Sequence, residues 1–191
     1  MRTVPLSTTT RVALIAGAGR FPFHVAQEGK RQGYQVVALG IRGWADPSLA
    51  AAVDAYEEVS VGELARLIER LKAHEVRHAI MAGKVTKDVL LRDQDTFDPT
   101  ARAIVQQAGD ASVNRLLGDI ATLLAGAGIT LLDSSTFLRE QLCPVGPVTR
   151  RAPSPDETAD ITVGVRAARA IARLDIGQTV IVKRRVIVAV E

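Results

Sequence analysis

The sequence has 191 residues, of which 47% are hydrophobic, 24% charged and only 4% aromatic, a composition that excludes a disordered or fibrous chain. Its length allows one large domain or one plus part of another, and its single cysteine, Cys143, excludes a disulfide framework. No secretory signal is recognisable and no run approaches the roughly 18 apolar residues of a membrane span, so a cytoplasmic protein is expected.

The net charge of +3 is unevenly placed: residues 1–149 carry 16 Lys+Arg against 16 Asp+Glu, whereas residues 150–191 carry 8 against 5. This basic tail has no aromatic residue for base stacking and no dense basic run. Nucleic acid is therefore not expected, while an anionic ligand or an anionic membrane surface would suit it.

In chain order, Val12 to Ala16 is a short apolar run closed by glycine, as in a strand buried on both faces. Gly17-Ala-Gly-Arg-Phe-Pro22 turns the chain into a helix reaching about Gln32, with Pro22 at its first turn and Gly33 as its stop. Gln35 to Leu39 and Ala55 to Val59 read as the next strands. Ser60-Val-Gly-Glu63 matches a capping box and predicts a helix starting there, with apolar residues at 61, 64, 67, 68 and 71. Val76 to Met81 is a fourth strand, closed by Gly83. Helices are expected at Thr100 to Gln107 and Ser112 to Ala127, then a fifth strand at Ile129 to Leu132. Asp133-Ser-Ser would cap a short helix over Thr136 to Leu142. Strands alternating with helices imply a parallel sheet covered on both faces. After a Pro-rich linker, a helix from Pro155 to Leu174 and two strands, Thr179 to Lys183 and Arg185 to Val190, follow. The turn between those strands, Arg184-Arg185, lacks the Asn-Gly chemistry that tight hairpins prefer. The expected class is α/β, with a Rossmann-like doubly wound N-terminal lobe (1–143), a linker (144–155) and the beginning of a smaller C-terminal α/β lobe (156–191). About 35 residues of helix and hairpin are too few for an independent core, so the second lobe reads as incomplete.

The strand followed by Gly17-Ala-Gly19 can place backbone amides and a helix N-terminus against a phosphate. Three readings stay open: a phosphate or nucleotide site, a structural glycine turn, or a dinucleotide cofactor. The last is disfavoured by Pro22 at the third fingerprint position and by Gly40-Ile-Arg where an acidic residue is wanted after the second strand. Gly83-Lys84-Val-Thr86-Lys87 follows another strand at the same sheet edge, so its ammonium groups could meet the same anion. Asp133-Ser134 ends the next strand. His24 and Trp44 are possible ligand contacts, with helix packing and loop packing as the alternatives.

His74-Glu-Val-Arg-His78 spells H-E-x-x-H, but its second histidine falls on a strand rather than on one helical face with the first, so zinc is rejected. Asp93-Gln-Asp95-Thr-Phe-Asp98 lacks the Gly and Glu that a calcium loop would need at 98 and 104 and reads as a solvated loop. Cys143 has no context for a nucleophile.

Taken together, Leu14-Ile-Ala-Gly-Ala-Gly-Arg-Phe-Pro22, Met81-Ala-Gly-Lys-Val-Thr-Lys87 and Asp175-Ile-Gly-Gln-Thr-Val-Ile-Val-Lys183 through Val188 to Glu191 resemble the LpxI family of UDP-2,3-diacylglucosamine diphosphatases, essentially end to end. The resemblance implies a two-lobed enzyme of lipid A synthesis. It would use Mg²⁺ or Mn²⁺ and water to split its glycolipid nucleotide substrate into UMP and 2,3-diacylglucosamine 1-phosphate, lipid X. It also implies peripheral contact with the cytoplasmic face of the inner membrane. By position, Gly17, Gly19, Arg20, Phe21, Gly83, Lys84, Val85, Thr86, Lys87, Asp133, Ser134 and Gln178 would face substrate. The family continues past the segment matching Val188 to Glu191 into an acidic motif, so the catalytic and metal-holding carboxylates are expected beyond Glu191, and this chain by itself is expected to be inactive. The apolar strand edges of the unfinished lobe suggest a homodimer. A nucleotide or glycolipid phosphate-binding module without catalysis is the alternative.

Overall fold

A computed structural model describes residues 10–86, 96–108, 113–174 and 176–191. Its elements are β1 (Arg11–Ala16), α1 (Phe21–Arg31), β2 (Gln35–Ile41), β3 (Ala55–Val59), α2 (Leu64–Ala73), β4 (His78–Ala82), α3 (Pro99–Ala108), α4 (Val113–Gly126), β5 (Thr130–Leu132), α5 (Pro155–Arg173), β6 (Val180–Lys183) and β7 (Val186–Val190). Short 3-10 turns lie at Pro47–Ala52 and Arg139–Gln141. The chain forms two compact units: Met1–Gly109 with Arg115–Leu142, and Asp110–Asn114 with Cys143–Glu191.

In the first unit five strands pair in the order β3-β2-β1-β4-β5, every pair parallel, which is a Rossmann-like α/β sheet. Alternation along β1 divides the core in two. Val12, Leu14 and Ala16 join Val36, Ala38 and Ile80 beneath Val25 and Ala26 of α1, with Leu49, Phe137 and Leu138 closing that face. Ala13 and Ile15 join Leu39, Ile41 and Ala79 on the other, under Leu67 and Leu71 of α2, Ala101 and Ile104 of α3, and Leu124 of α4. Burial on both faces explains the near-continuous apolar runs of the central strands.

The chain runs outward from β1 to β2 and β3, then crosses back to β4 on the far side of β1. The carboxyl ends of β1 and β4 therefore flank the point where strand order reverses, and such crevices are where open α/β sheets bind ligands.

Two helix predictions are corrected. Ser60-Glu63 is only half a capping box: Glu63 Oε2 accepts the Ser60 amide at 2.8 Å, but the Ser60 hydroxyl accepts from Arg42 at 3.3 Å, and α2 starts at Leu64. The α2 amide of Ala65 donates instead to Asp98 Oδ2 at 2.7 Å, while Asp98 Oδ1 accepts from Ala101 of α3 at 2.7 Å. One carboxylate thus caps two helices, a pairing that short-range spacing cannot reveal. Asp93 and Asp95 of the same acidic loop lie outside the described residues. The second correction concerns Thr136 to Leu142, where turns and one 3-10 turn replace the expected helix. Asp133 Oδ1 accepts from the Ser135 amide at 2.8 Å, closing an Asx turn that competes with helical hydrogen bonding.

In the second unit α5 opens with a full capping box: Ser154 Oγ accepts the Glu157 amide at 3.2 Å and Glu157 Oε2 accepts the Ser154 amide at 2.7 Å. Strands β6 and β7 form an antiparallel hairpin with an irregularity at Ile181/Val182. Arg184 and Arg185 both adopt left-handed backbone, with φ of 51° and 64°. Both central residues of a tight hairpin turn need positive φ, and the Cβ atoms make that costly here. The compensation comes from α5, where the carboxylate of Asp160 accepts both amides, that of Arg184 at 3.0 Å.

Candidate functional site

The glycine loops after β1 and β4 meet at the switch point. The Gly17 amide donates to the carbonyl of Ala82 at 2.8 Å, and Ala18 and Lys84 exchange backbone hydrogen bonds in both directions, each 2.9 Å long. This contact dictates the glycines. A Cβ on Gly17 would stand 2.7 Å from the Lys84 carbonyl oxygen, and one on Gly83 would stand 2.7 Å from the Gly17 carbonyl carbon. Gly83 also has φ of 95°. The two loops are thus clamped to one another, and the amides of Gly17 and Ala18 are satisfied by protein, as the glycine-turn reading has it.

What stays open lies one step further on. Gly19 (φ 98°) has open space around its α-carbon, and α1 begins at Phe21 with no side chain capping it. An uncapped helix start offers donors and a partial positive charge to an anion. Beside it, a cleft of about 390 Å³ is lined by Gly19, Arg20, Phe23, His24 and Gln27 from the start of α1, and by Asp46 and Ser48 from the loop after β2. Asp46 Oδ1 accepts from the Ser48 amide at 2.9 Å, and hydrogen bonding from Ser48 holds this carboxyl below the usual Asp range. The cleft therefore presents a guanidinium and a carboxylate that stays charged at neutral pH.

The other predicted site residues divide by location. Gly83, Lys84 and Val85 are exposed on the β4 loop, Thr86 is half-buried there, and Lys87 lies outside the described residues. Phe21 is 40% exposed. Asp133 and Ser134 follow β5 at the same edge of the sheet, one strand beyond β4. There the Asp133 carboxyl is held below its ordinary range by its hydrogen bonds from Ser135. Gln178 belongs to the second unit, at the base of the hairpin, where its amide donates to the Glu191 carbonyl at 2.6 Å. Trp44 packs against the α2 face of the core, and His24 lines the cleft. Asp46 and Ser48 were not singled out from sequence; Asp46-Pro-Ser48 reads locally as a cap for the following turn, and only the fold returns it to the α1 start.

The H-E-x-x-H histidines serve separate elements. His74 follows the last residue of α2 and bonds Glu57 through Nε2 at 2.7 Å, whereas His78 opens β4 and burial lowers its pKa. Among the described residues no three His, Cys, Asp or Glu side chains converge. These residues do not by themselves make a metal centre.

A parallel sheet in the β3-β2-β1-β4-β5 order, with paired glycine loops and a charged cleft at its switch point, defines a Rossmann-type α/β protein. The chain belongs to the LpxI family: the family model for the LpxI N-terminal domain matches residues 11–141 and that for the LpxI C-terminal domain residues 144–191. A curated relative, the UDP-2,3-diacylglucosamine pyrophosphatase LpxI of Caulobacter vibrioides, is 28% identical over 190 residues, which cover 95% of this chain and 64% of the relative. Similar solved structures include the Bordetella bronchiseptica enzyme WbmG in complex with NAD and UDP, with a TM-score of 0.44 at 17% identity over 69% of this chain and 39% of that one. Another is a UDP-glucose-4-epimerase from Stenotrophomonas maltophila, with a TM-score of 0.42 at 14% identity over 86% of this chain and 49% of that one.

Proposed function

We propose that this chain carries the nucleotide-recognising part of a UDP-2,3-diacylglucosamine diphosphatase of lipid A synthesis, whose reaction with water releases UMP and 2,3-diacylglucosamine 1-phosphate. The observation that carries this reading is the family match across both units, from residue 11 to residue 191. The switch-point edge supports it: Arg20 and Lys84 project from the two clamped loops there and suit a diphosphate. Asp133 and Ser134 on the same edge complete the substrate-facing set proposed for the first unit.

Hydrolysis also requires water to be positioned and the charge of the leaving phosphate neutralised, by carboxylates with Mg²⁺ or Mn²⁺ in this reading. Among the described residues no three His, Cys, Asp or Glu side chains converge, and this reading assigns recognition to them rather than chemistry. No helix among the described residues is long and apolar enough to cross a membrane, which is compatible with peripheral contact at the cytoplasmic face of the inner membrane.

The test is isothermal titration of the protein with UDP-2,3-diacylglucosamine, lipid X and UMP in detergent, with and without Mg²⁺ or Mn²⁺, while UMP release is followed by chromatography. Binding of the intact substrate without UMP release is expected. Failure of the intact substrate to bind would overturn the reading, and metal-dependent UMP release would overturn the assignment of chemistry elsewhere.

A further inference from the structure

We propose that the cleft between the start of α1 and the loop after β2 is a ribose site, in which Asp46 receives the vicinal hydroxyls of a ribonucleoside phosphate whose phosphate lies against Arg20. The inference rests on the reading that the first unit recognises the nucleotide half of its substrate, and it names the group that does the discriminating.

At about 390 Å³ the cleft lies at the small end of the roughly 300–1,000 Å³ typical of small-molecule pockets, a volume that suits one nucleoside phosphate. Its two charged groups are of opposite sign and come from different elements, Arg20 from the turn before α1 and Asp46 from the loop after β2. A ligand filling it needs an anion at one end and hydrogen-bond donors at the other. A simple phosphate meets only the first requirement, and an uncharged sugar only the second.

Asp46 is suited to a diol in particular. An exposed Asp is ionised at neutral pH, hence acceptor-only, and the hydrogen bond from the Ser48 amide fixes the turn that presents it. A carboxylate has about four lone-pair sites, and the Ser48 contacts occupy only part of that capacity. The remainder can accept two adjacent hydroxyls, whereas a ligand lacking one of them would leave the site a bond short. Chain order explains why sequence pattern hides this acid. A dinucleotide fold places it directly at the end of the second strand, where this chain has Gly40-Ile41-Arg42, and here it returns five residues after β2 ends. A Cβ on Gly40 would lie 2.3 Å from the Tyr56 hydroxyl, so a side chain there would require the Tyr56 ring to move.

The experiment compares UMP, 2′-deoxy-UMP, inorganic phosphate and NAD by titration calorimetry and by amide chemical-shift mapping on the intact protein. Expected are UMP binding at least tenfold tighter than 2′-deoxy-UMP, shifts centred on Gly19, Arg20, His24, Asp46 and Ser48, and NAD binding no tighter than UMP. Asp46→Asn should bring the UMP to 2′-deoxy-UMP ratio close to 1. Arg20→Gln should weaken UMP and 2′-deoxy-UMP alike and preserve the ratio. Equal binding of the two nucleotides by the unaltered protein would overturn the proposal without relying on any variant. So would a ratio that Asp46→Asn leaves intact, or shifts centred elsewhere. Binding of intact UDP-2,3-diacylglucosamine with no UMP binding overturns the ribose site and spares the diphosphatase reading. Ribose-dependent UMP binding with no binding of the lipid substrate does the reverse.

Discussion

The two units hold their shape by different means. In the first, both faces of a parallel sheet are buried, and the largest fully enclosed side chains, Leu14, Leu39, Leu49, Leu71, Ile80 and Leu124 among them, all belong to it. In the second no described residue is buried; β7 is exposed along its whole length, and Ile181, Val186, Val188 and Val190 are each about half exposed. Only half-buried apolar residues such as Val163, Ile171, Val180 and Val182 line the helix and hairpin there, and carboxylates on backbone amides add to them: Glu157 on Ser154, and Asp160 on the strained Arg184-Arg185 turn. The contrast shows that a chain can specify local geometry by polar contacts where its apolar residues do not enclose a core, but such contacts are worth only about 1 kcal/mol each. Burial of a single large side chain is worth two to three times more.

The largest effect should come from Leu14→Ala, which empties a position buried on the α1 face of β1. A loss of about 2–5 kcal/mol is expected in urea unfolding. Amide protection at Arg184 and Arg185, measured by hydrogen exchange, should not change. A parallel loss of protection there would show that the two units unfold as one and would break the comparison.

Gly83→Ala comes next. It forces an L side chain into a backbone with φ of 95° and drives its Cβ into the β1 loop, 2.7 Å from the Gly17 carbonyl carbon. About 1–3 kcal/mol is expected from the backbone strain, seen as a lowered melting temperature. Arg20 and Lys84 sit on the two loops that must shift, so UMP affinity should fall with it. Unchanged affinity would place the nucleotide away from this clamp.

Much of this was legible in the sequence. The strands from Val12, Gln35 and Ala55 were readable because a doubly buried strand needs a short apolar run, and glycines marked where each turn fell. That the β1 and β4 loops share one sheet edge was legible from their two glycine turns, whereas their direct backbone contact, which requires the glycines, was not. What escaped depended on partners far along the chain. Asp98 caps α2 from 33 residues away, which is why Ser60 misled. Asp46 reaches the α1 start only through the pairing of β2 with β1. The Arg184-Arg185 turn was correctly placed despite unfavourable residues, because the stabilising Asp160 lies 24 residues earlier on another element.

That turn gives a smaller and more local prediction. Asp160→Ala removes both acceptors from a turn whose two φ angles arginine adopts reluctantly, and a loss of about 1–2 kcal/mol of turn stability is expected. It should register as faster exchange of the Arg184 and Arg185 amides. Replacing Arg184-Arg185 by Asn-Gly supplies residues that take positive φ readily, so the same Asp160→Ala change made on that background should cost less. Equal costs on both backgrounds would mean that Asp160 acts on α5 alone and not on the turn.

The smallest effect concerns pH, and its sign is fixed by Glu157. Its hydrogen bonds to Arg151 and to the Ser154 amide bring its pKa down from 4.5 to about 2. A carboxyl lowered by folding stabilises the folded state fully above its unfolded value. That contribution fades as the pH falls below about 4.5 and is gone once Glu157 is protonated, below about 2. The side chain is open to solvent, so the expected signature is spectroscopic rather than a large change in stability. The Glu157 carboxyl resonance should titrate near 2, and the amides of Ser154 and Glu157 should lose protection over the same range. Arg151→Gln should move the midpoint back toward 4.5 by removing the largest of the lowering contacts, whereas Ser154→Ala, which keeps the backbone donor, should move it less. A midpoint near 4.5 in the unaltered protein would mean that the capping box is not formed in solution, leaving the second unit without one of the polar contacts that distinguish it from the first.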